Sequence, residues 1–256
     1  MTGESPRDHV GSLEKGLAVM EVLAANPAGM TLTEMADRTG LTRAGARRFL
    51  LTLAATGYAT QNGRRFQLSA RLLTVARTWL QGTPLWAYAE PIMREVSAAF
   101  NESCSAAILG GEHVVYVARA PSRAILSVTL SVGTRLPAYC TSMGKVLLSG
   151  LEEAEFEAFL KKTVLAPNTP KTIIEPEALR AAVARVRRDG FAIADEELEL
   201  GLRSIAVPIR DGTGRITAAL NVSTQTARMS VADLKRAILP KLRDAAARIE
   251  AYFLLQ

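Results

Sequence analysis

The sequence contains few of the residues that build metal centres and disulfide networks. Among 256 residues there are two cysteines, Cys104 and Cys140, and two histidines, His9 and His113. A structural zinc site needs four closely spaced Cys or His ligands, whereas these four residues are widely scattered. We therefore expect no metal, no disulfide network and no cofactor. A nucleophile triad is also disfavoured, because His9 lies in a polar tail and His113 follows a turn-like Gly-Gly-Glu.

Long apolar runs are absent as well. The longest stretch without a charged residue is Phe49–Gly63, 15 residues, whereas a bilayer span needs roughly 20 apolar residues. The first twelve residues lack the apolar core of a secretory signal. We therefore expect a cytoplasmic protein with no membrane partner. The composition, 48% hydrophobic and 22% charged, is typical of a folded chain long enough for one large or two ordinary domains.

Acidic residues are missing from one long stretch. The net charge of +6 is by itself a weak sign of a polyanionic partner. Its distribution is more informative, because eight arginines and no Asp or Glu lie between Arg38 and Ala89. This stretch therefore forms a concentrated basic surface.

Helix signals within and before this basic stretch predict a helix-turn-helix. Helical spacing of apolar residues indicates a first helix over 12–25. Thr31 and Glu34 have the spacing of a capping box for a second helix, which Gly40 ends. Thr42 caps a third helix with one apolar face, formed by Ala46, Phe49, Leu50 and Leu53. Two short helices joined by a glycine turn are typical of a helix-turn-helix.

A β-hairpin follows the third helix. Asn62-Gly63 stands between two short alternating runs within residues 58–68, which is a strong hairpin signal. The hairpin would serve as the wing of a winged helix-turn-helix. Arg43 and Arg47 share one face of the third helix, with Arg48 roughly 100° around its axis.

This arrangement suits a helix in the major groove of DNA, with the wing on an adjacent groove or backbone. A solvated arginine face is the alternative for any one arginine pair. The capped helices, the hairpin and the acid-free window together favour DNA binding. The predicted DNA-binding residues are Thr42, Arg43, Arg47, Arg48, Arg64 and Arg65.

The remaining chain predicts a linker helix and a second domain. We expect a DNA-binding domain over 1–68, a linker helix over 69–82 and a second domain over 83–256. The linker carries a broad apolar stripe that includes Trp79, which packs either on its own domain or against a second copy. Helices are predicted over 89–100, 142–148, 152–162, 176–189 and, interrupted at Pro240, 231–255. Strands are predicted over 103–109, 114–118, 125–131, 191–194, 203–210 and 215–222. This pattern indicates an α+β domain able to enclose a small ligand.

Several segments resemble the IclR family of bacterial transcription regulators. In the first domain they are Ser12–Leu17, Leu41–Leu50 and Gly63–Phe66. In the second they are Gly133–Lys145, Gly201–Pro208 and Ala219–Ser223. The details are most similar to the branch that controls protocatechuate and β-ketoadipate catabolism. The sequence departs from that branch at Cys140 and Gly45, where Ala is more usual.

The resemblance implies a winged helix-turn-helix joined to a GAF-like effector domain. It implies a homodimer or dimer of dimers on palindromic operator DNA, and a ligand that lies beside the helix beginning at Ser142 and Met143. A helix N-terminus favours a carboxylate because its N–H groups are unpaired. The resemblance itself implies a small carboxylic-acid effector, such as protocatechuate or β-ketoadipate, with which this helix start is consistent. The predicted effector-binding residues are Ile125, Val128, Leu136, Ser142, Met143, Ser204, Asn221 and Ser223. For the polar members the alternative is an ordinary strand-end hydrogen bond, and for the aliphatic members it is simple core.

The expected function is ligand-responsive regulation of a catabolic operon for aromatic acids, or for another small carboxylate. An enzyme is the rival class, with Cys140 as a nucleophile at a helix start, but no base accompanies it in the sequence. The acidic run Asp195-Glu196-Glu197 is typical of a solvated loop rather than acid/base chemistry. A nucleoid-type coating protein is disfavoured by the large second domain. We expect a non-enzymatic regulator.

Overall fold

The computed structural model describes residues 9–75, 84–122 and 130–254. The chain forms two compact units, Met1–Gly82 and Thr83–Gln256. Within the described residues, no helix combines the length and apolar character that crossing a membrane requires.

The first unit contains three helices and a small antiparallel sheet. Its elements are α1 (Gly11–Ala24), β1 (Met30–Thr31), α2 (Leu32–Thr39), α3 (Arg43–Ala55), β2 (Ala59–Asn62) and β3 (Arg65–Leu68). The sheet order is β1-β3-β2. Buried side chains of all three helices, among them Leu23, Met35 and Leu50, form one core with Phe66 of the hairpin. The predicted winged helix-turn-helix architecture is confirmed.

Local capping explains where α2 and α3 begin. Thr31 Oγ1 accepts from the backbone N–H of Glu34, and Glu34 Oε2 accepts from the backbone N–H of Thr31 at 2.7 Å. These hydrogen bonds hold the pKa of Glu34 below its usual value, chiefly through the Thr31 backbone N–H. Gly40 ends α2 in the left-handed conformation. Thr42 Oγ1 accepts from the Gly45 N–H at 3.1 Å and so caps α3. The predicted caps are therefore confirmed.

The hairpin forms as predicted, but its turn lies one residue later. Asn62 pairs with Arg65, so the two loop residues are Gly63 and Arg64 rather than Asn62 and Gly63. Gly63 has φ +60°, which glycine adopts without steric cost at the first position of a type II′ turn. The strand β1 was not predicted, because two residues gain strand geometry only by pairing with β3.

The second unit is a six-stranded antiparallel sheet with helices on both faces. Its helices are α4 (Pro84–Phe100), α5 (Ser142–Ser149), α6 (Glu153–Lys162), α7 (Pro176–Asp189), α8 (Val231–Asp233) and α9 (Leu239–Glu250). Its strands are β4 (Ser103–Gly110), β5 (His113–Ala120), β6 (Arg135–Pro137), β7 (Ala192–Asp195), β8 (Leu202–Arg210) and β9 (Ile216–Gln225). The strand order is β6-β5-β4-β9-β8-β7. The predicted α+β class is confirmed.

Two apolar clusters lie on opposite faces of this sheet. One joins α4 and α9 to inward residues such as Val207 and Leu220. The other joins α5, α6 and α7 to Ala206 and Ala219, which alternate with the first pair along β8 and β9. The helix α5 therefore packs directly on the sheet, and its first turn reaches the sheet face that carries Ser204.

The structure corrects the predicted C-terminal helix. A helix over 231–255 with an interruption at Pro240 was expected, whereas the irregular part lies earlier: a π-helical turn, Leu234–Ile238, separates α8 from α9, and a 3₁₀ turn, Ala251–Leu254, follows α9. Pro240 lies in the first turn of α9 and has no N–H to donate to the preceding turn. Helical hydrogen bonding continues up to the proline through the π turn, in which the Leu239 N–H donates to the Leu234 carbonyl, five residues back.

Two further predictions fall partly outside the described residues. Of the strand predicted over 125–131, Leu130 and Ser131 are not in a strand, and the rest lies outside the described residues. Of the predicted linker helix, residues 71–75 are helical, whereas Trp79 lies outside the described residues. The short strand β6 was not predicted; like β1, it depends on its partner, β5.

A close backbone approach at Gly144 provides the first testable prediction. A Cβ at Gly144 would lie 1.9 Å from the Ala138 carbonyl oxygen, so α5 would have to move away from the loop before it. We expect Gly144→Ala to lower the free energy of unfolding of the second unit by about 3 kcal/mol or more. Urea titration followed by circular dichroism measures the effect.

Gly16→Ala is the matched control, because this helical glycine has its nearest neighbour, Phe49 Cδ1, at an ordinary 3.6 Å. That variant should instead gain about 0.5–1 kcal/mol from higher helix propensity. A Gly144→Ala protein that unfolds at the wild-type urea midpoint would show that the contact with Ala138 does not constrain α5.

Candidate functional sites

A basic groove lies between α3 and the hairpin of the first unit. Three of the predicted DNA-binding arginines line it: Arg43 and Arg47 from α3, and Arg64 from the turn. All three are exposed. Gln61 and Thr33 line the same groove and add neutral polar groups. The groove therefore presents several guanidinium groups on one surface, which suits the phosphates and base edges of nucleic acid.

The remaining predicted residues of this set have structural contacts or different positions. Thr42 uses its hydroxyl to cap α3. Arg65 Nη1 donates to the Gly29 carbonyl at 2.7 Å and lies 3.5 Å from Glu34, so it braces the hairpin. Arg48 is exposed but does not line the groove.

The arginines of the groove also differ in their freedom to bind. Arg43 Nη2 donates to Thr33 Oγ1 at 2.8 Å. Across residues 9–75, 84–122 and 130–254, the side chains of Arg47 and Arg64 make no hydrogen bond or ion pair with the protein. Arg47 and Arg64 are therefore available to an external anion, whereas Arg43 is already oriented by Thr33.

The second unit has a partly open cavity of about 240 Å³ between the sheet and the first turn of α5. The loops at 197–201 and 225–227 complete its wall. Six of the eight predicted effector-binding residues line it, namely Leu136, Ser142, Met143, Ser204, Asn221 and Ser223. The other two, Ile125 and Val128, lie outside the described residues.

The polar side chains among these six bind one another in pairs. Ser142 Oγ and Ser204 Oγ are 2.8 Å apart, and Asn221 Nδ2 donates to Ser223 Oγ at 3.1 Å. Strand pairing places Ser204 directly opposite Ser223, which brings the two pairs together. The alternative interpretation, that these polar side chains make ordinary hydrogen bonds within the fold, is therefore correct in part.

Arg119, which reaches the cavity from β5, was not predicted as a site residue from the sequence. Its guanidinium donates to the Leu130 carbonyl and to Ser103 Oγ at 3.3 Å, both neutral oxygens. Its Nε is buried without a partner. A lone arginine in the apolar run His113–Ala120 was the available signal, since a charged group in a buried strand needs a specific reason.

The interpretation of the acidic run as a solvated loop was wrong. Glu197 is 8% exposed, lines the cavity and forms an ion pair with Lys145 of α5. Burial raises the pKa of Glu197, and the Lys145 charge opposes that rise. Glu196 binds Lys171, and Asp195 binds Arg203 at 2.7 Å. The sequence alone does not reveal this arrangement, because each partner lies in a different element.

Unpartnered polar atoms are concentrated at this cavity. Five buried side-chain nitrogen or oxygen atoms in the described residues have no hydrogen-bond partner. Three of them belong to residues that line the cavity: Arg119 Nε, Glu197 Oε2 and Asn221 Oδ1. Buried polar groups are normally paired, so this concentration indicates a site for a polar molecule.

Cys140 also lines the cavity, but its chemistry does not suit a nucleophile. Burial raises the pKa of its thiol to about 11, so the thiol is protonated at neutral pH. Asn168 Nδ2 donates to its sulfur at 3.4 Å, and the thiol donates to the Pro137 carbonyl at 3.8 Å. Among the described residues, no group of three or more His, Cys, Asp or Glu side chains is placed to hold a metal ion.

Comparison with protein families matches both units of the chain. Residues 12–63 match the IclR helix-turn-helix domain, and residues 77–251 match the family described as bacterial transcriptional regulator IclR C-terminal. The chain is 41% identical over 236 residues to the Pca regulon regulatory protein of Pseudomonas putida, covering 92% of this chain and 81% of that protein. It is 35% identical to the p-hydroxybenzoate hydroxylase transcriptional activator of Acinetobacter baylyi, covering 93% and 90%.

Solved structures show the same fold over nearly the whole chain. The RHA06195 protein of Rhodococcus sp. RHA1 is 44% identical with a TM-score of 0.81, covering 96% of this chain and 99% of that chain. An IclR homologue of Microbacterium hydrocarbonoxydans, solved with 4-hydroxybenzoate, is 27% identical with a TM-score of 0.82, covering 96% and 100%.

The thiol environment provides a second prediction. Burial also raises the pKa of Cys104, so we expect neither cysteine to react with a thiol reagent such as DTNB in the native protein at pH 7.5. The same protein in 8 M urea should release two equivalents, which is the internal control. Rapid native labelling that Cys140→Ser removes would mean that Cys140 is exposed as a thiolate and would reopen a nucleophilic role.

Proposed function

The chain belongs to the IclR family of bacterial transcriptional regulators, and we propose that it regulates a catabolic operon in response to a small carboxylic acid. Two features of the molecule support this proposal. An arginine-lined groove in the helix-turn-helix unit suits DNA, and a cavity in the second unit carries Arg119 as a positive charge that has no carboxylate partner among the described residues. The cavity charge is the observation that carries the effector assignment. We propose a non-enzymatic protein that acts in the cytoplasm.

Degradation of aromatic acids is the pathway that we propose. Two relatives are named for the Pca regulon and for p-hydroxybenzoate hydroxylase, and a structural relative was solved with 4-hydroxybenzoate. Protocatechuate and β-ketoadipate both stay within this proposal, because each offers a carboxylate to the cavity. The carboxylate would bind Arg119. The N–H groups of Ser142 and Met143, which a helix leaves unpaired in its first turn, would donate to the other end of the ligand. Ser204, Asn221 and Ser223 would provide further hydrogen bonds.

On DNA, we propose a homodimer, or a dimer of dimers, bound to a palindromic operator. Exposed apolar side chains support self-association: Leu13 and Leu17 lie on α1, Val10 directly precedes it, and Leu73 and Val75 lie on the helical residues 71–75. Two-fold symmetry in the protein would be matched by half-sites one helical turn apart or a multiple of it.

The groove leads to a prediction about DNA affinity. We expect Arg47→Ala to weaken binding to the chain's own promoter DNA by about 1–3 kcal/mol, if the side chain makes a bidentate base contact. Arg64→Ala should act mainly through phosphate and reduce the slope of log affinity against log salt by about 0.9. Fluorescence anisotropy on promoter and scrambled duplexes at several salt concentrations measures both effects.

Arg185→Ala is the control, because this exposed arginine of α7 lies in the second unit and removes the same charge. It should leave both quantities near their wild-type values. Unchanged affinity and unchanged salt slope in the Arg47 and Arg64 variants would exclude the groove from the DNA interface.

The cavity leads to a prediction about coupling. An effector changes DNA affinity only if it binds two arrangements of the protein unequally, and the coupling is reciprocal. We therefore expect calorimetry to find a carboxylic acid whose affinity changes when operator DNA is added. Ser223→Ala should weaken that acid several-fold, because it removes a hydroxyl from the cavity wall. Selection of an uncharged or cationic ligand would contradict the effector class and leave the DNA-binding proposal intact.

A further inference from the structure

The cavity carries groups of opposite chemistry at two separate places. Arg119 enters from β5, whereas Glu197 enters from the loop that joins β7 to β8. In the sheet, β4 and β9 lie between β5 and β8, so the two backbones are three strand spacings apart, roughly 14 Å. The two side chains do not pair with each other: Arg119 binds neutral oxygens and Glu197 binds Lys145.

The unpartnered atoms specify which hydrogen-bonding groups the ligand must carry. Arg119 Nε is a donor that lacks an acceptor, and Glu197 Oε2 is an acceptor that lacks a donor. A ligand that satisfies both needs an acceptor at the Arg119 end and a donor at the Glu197 end. A carboxylate provides the first, and a hydroxyl provides the second. A carboxylate at both ends leaves Glu197 Oε2 unpaired.

The charged residues of the cavity wall favour the same kind of ligand, with one carboxylate and one hydroxyl. At the Arg119 end, the guanidinium contacts only neutral oxygens among the described residues, so it attracts one anionic group. At the other end, Glu197 lines the cavity, and Lys145 already holds its Oε1. A second ligand carboxylate there would meet like charge in a partly desolvated place, which is strongly unfavourable.

We propose that Glu197 is a specificity-determining residue that accepts a hydrogen bond from an effector hydroxyl remote from its carboxylate, so that the cavity selects hydroxy-monocarboxylates and rejects dicarboxylates. This inference rests on the proposed effector-binding function and narrows it. Lys145 acts as a positioning residue, because its ammonium fixes the Glu197 carboxylate and leaves Oε2 for the ligand. Of the two acids consistent with the proposed pathway, protocatechuate fits this requirement and β-ketoadipate does not.

The test begins with the wild-type protein and matched ligands, so that it depends on no variant. Calorimetry would compare 4-hydroxybenzoate with benzoate, 4-methoxybenzoate, terephthalate and adipate. We expect 4-hydroxybenzoate to bind at least tenfold more tightly than benzoate and 4-methoxybenzoate, which lack the donor. Terephthalate and adipate, which carry a second carboxylate, should not bind measurably.

Two other outcomes are possible, and each contradicts a different part of the proposal. Equal affinity for benzoate and 4-hydroxybenzoate, or tighter binding of terephthalate or adipate, would refute the role of Glu197 while keeping the carboxylic-acid effector. Absence of binding by every acid would overturn the effector class itself, and this inference with it.

Variants then locate the selectivity. Because a single change at Glu197 strands the buried Lys145 charge, the test variant combines Lys145→Met with Glu197→Leu. We expect it to bind benzoate and 4-hydroxybenzoate with nearly equal affinity, which a purely structural role would not produce. Glu196→Gln is the matched control, since this neighbouring carboxylate binds Lys171 and does not line the cavity. It should retain the wild-type preference, and a preference that survives in the double variant would refute the assignment.

Discussion

The buried ion pair between Lys145 and Glu197 is the constraint on which the cavity depends. It joins the first turns of α5 to the loop between β7 and β8, two parts of the wall that are distant in sequence. Such a pair adds little net stability, because desolvation offsets the attraction, but loss of one partner costs about 3–5 kcal/mol. The ion pair instead fixes positions. It holds the loop between β7 and β8 against α5, and it leaves one oxygen of the Glu197 carboxylate for a ligand.

The seating of α5 on the sheet makes this ion pair possible. Gly144 allows the helix to approach the Ala138 carbonyl, and the Thr141 hydroxyl caps the helix by accepting from the Gly144 N–H at 3.0 Å. A side chain at position 144 would force α5 away from Ala138, and we expect that movement to disturb both the Lys145–Glu197 and the Ser142–Ser204 contacts, which start from the same turn. One small residue therefore determines the geometry of both polar contacts.

Features that depend on residues close together in the sequence could be predicted, whereas features that depend on distant residues could not. The caps at Thr31 and Thr42, and the hairpin around Gly63, depend on neighbours within a few residues and could be predicted. The turn between β8 and β9 also depends on near neighbours, because the Asp211 carboxylate accepts from Thr213, and these hydrogen bonds lower the pKa of Asp211 to about 2. The strands β1 and β6 could not be predicted, because they exist only through pairing with distant strands.

The cavity residues divide in the same way. Ser142, Ser204, Asn221 and Ser223 were predicted to line the cavity because a family resemblance supplied their positions. Arg119 and Glu197 were not, because their roles come from contacts across the fold: Arg119 with Ser103, and Glu197 with Lys145. Periodicity and composition do not encode which buried charge lacks a partner. Only the three-dimensional structure shows which buried donors and acceptors lack a partner.

This shortage of partners has a consequence for regulation. Among the described residues, the Arg119 guanidinium has no carboxylate partner and three residues of the cavity wall carry unpaired polar atoms, so a ligand that satisfies them stabilises the arrangement in which they converge. Such a ligand has the differential affinity that a switch requires, since an arrangement with the loop displaced from α5 would not offer the same contacts. A cavity lined only by apolar side chains would bind with less dependence on geometry. The unpaired groups are therefore what allows effector binding to favour one arrangement of this domain over another.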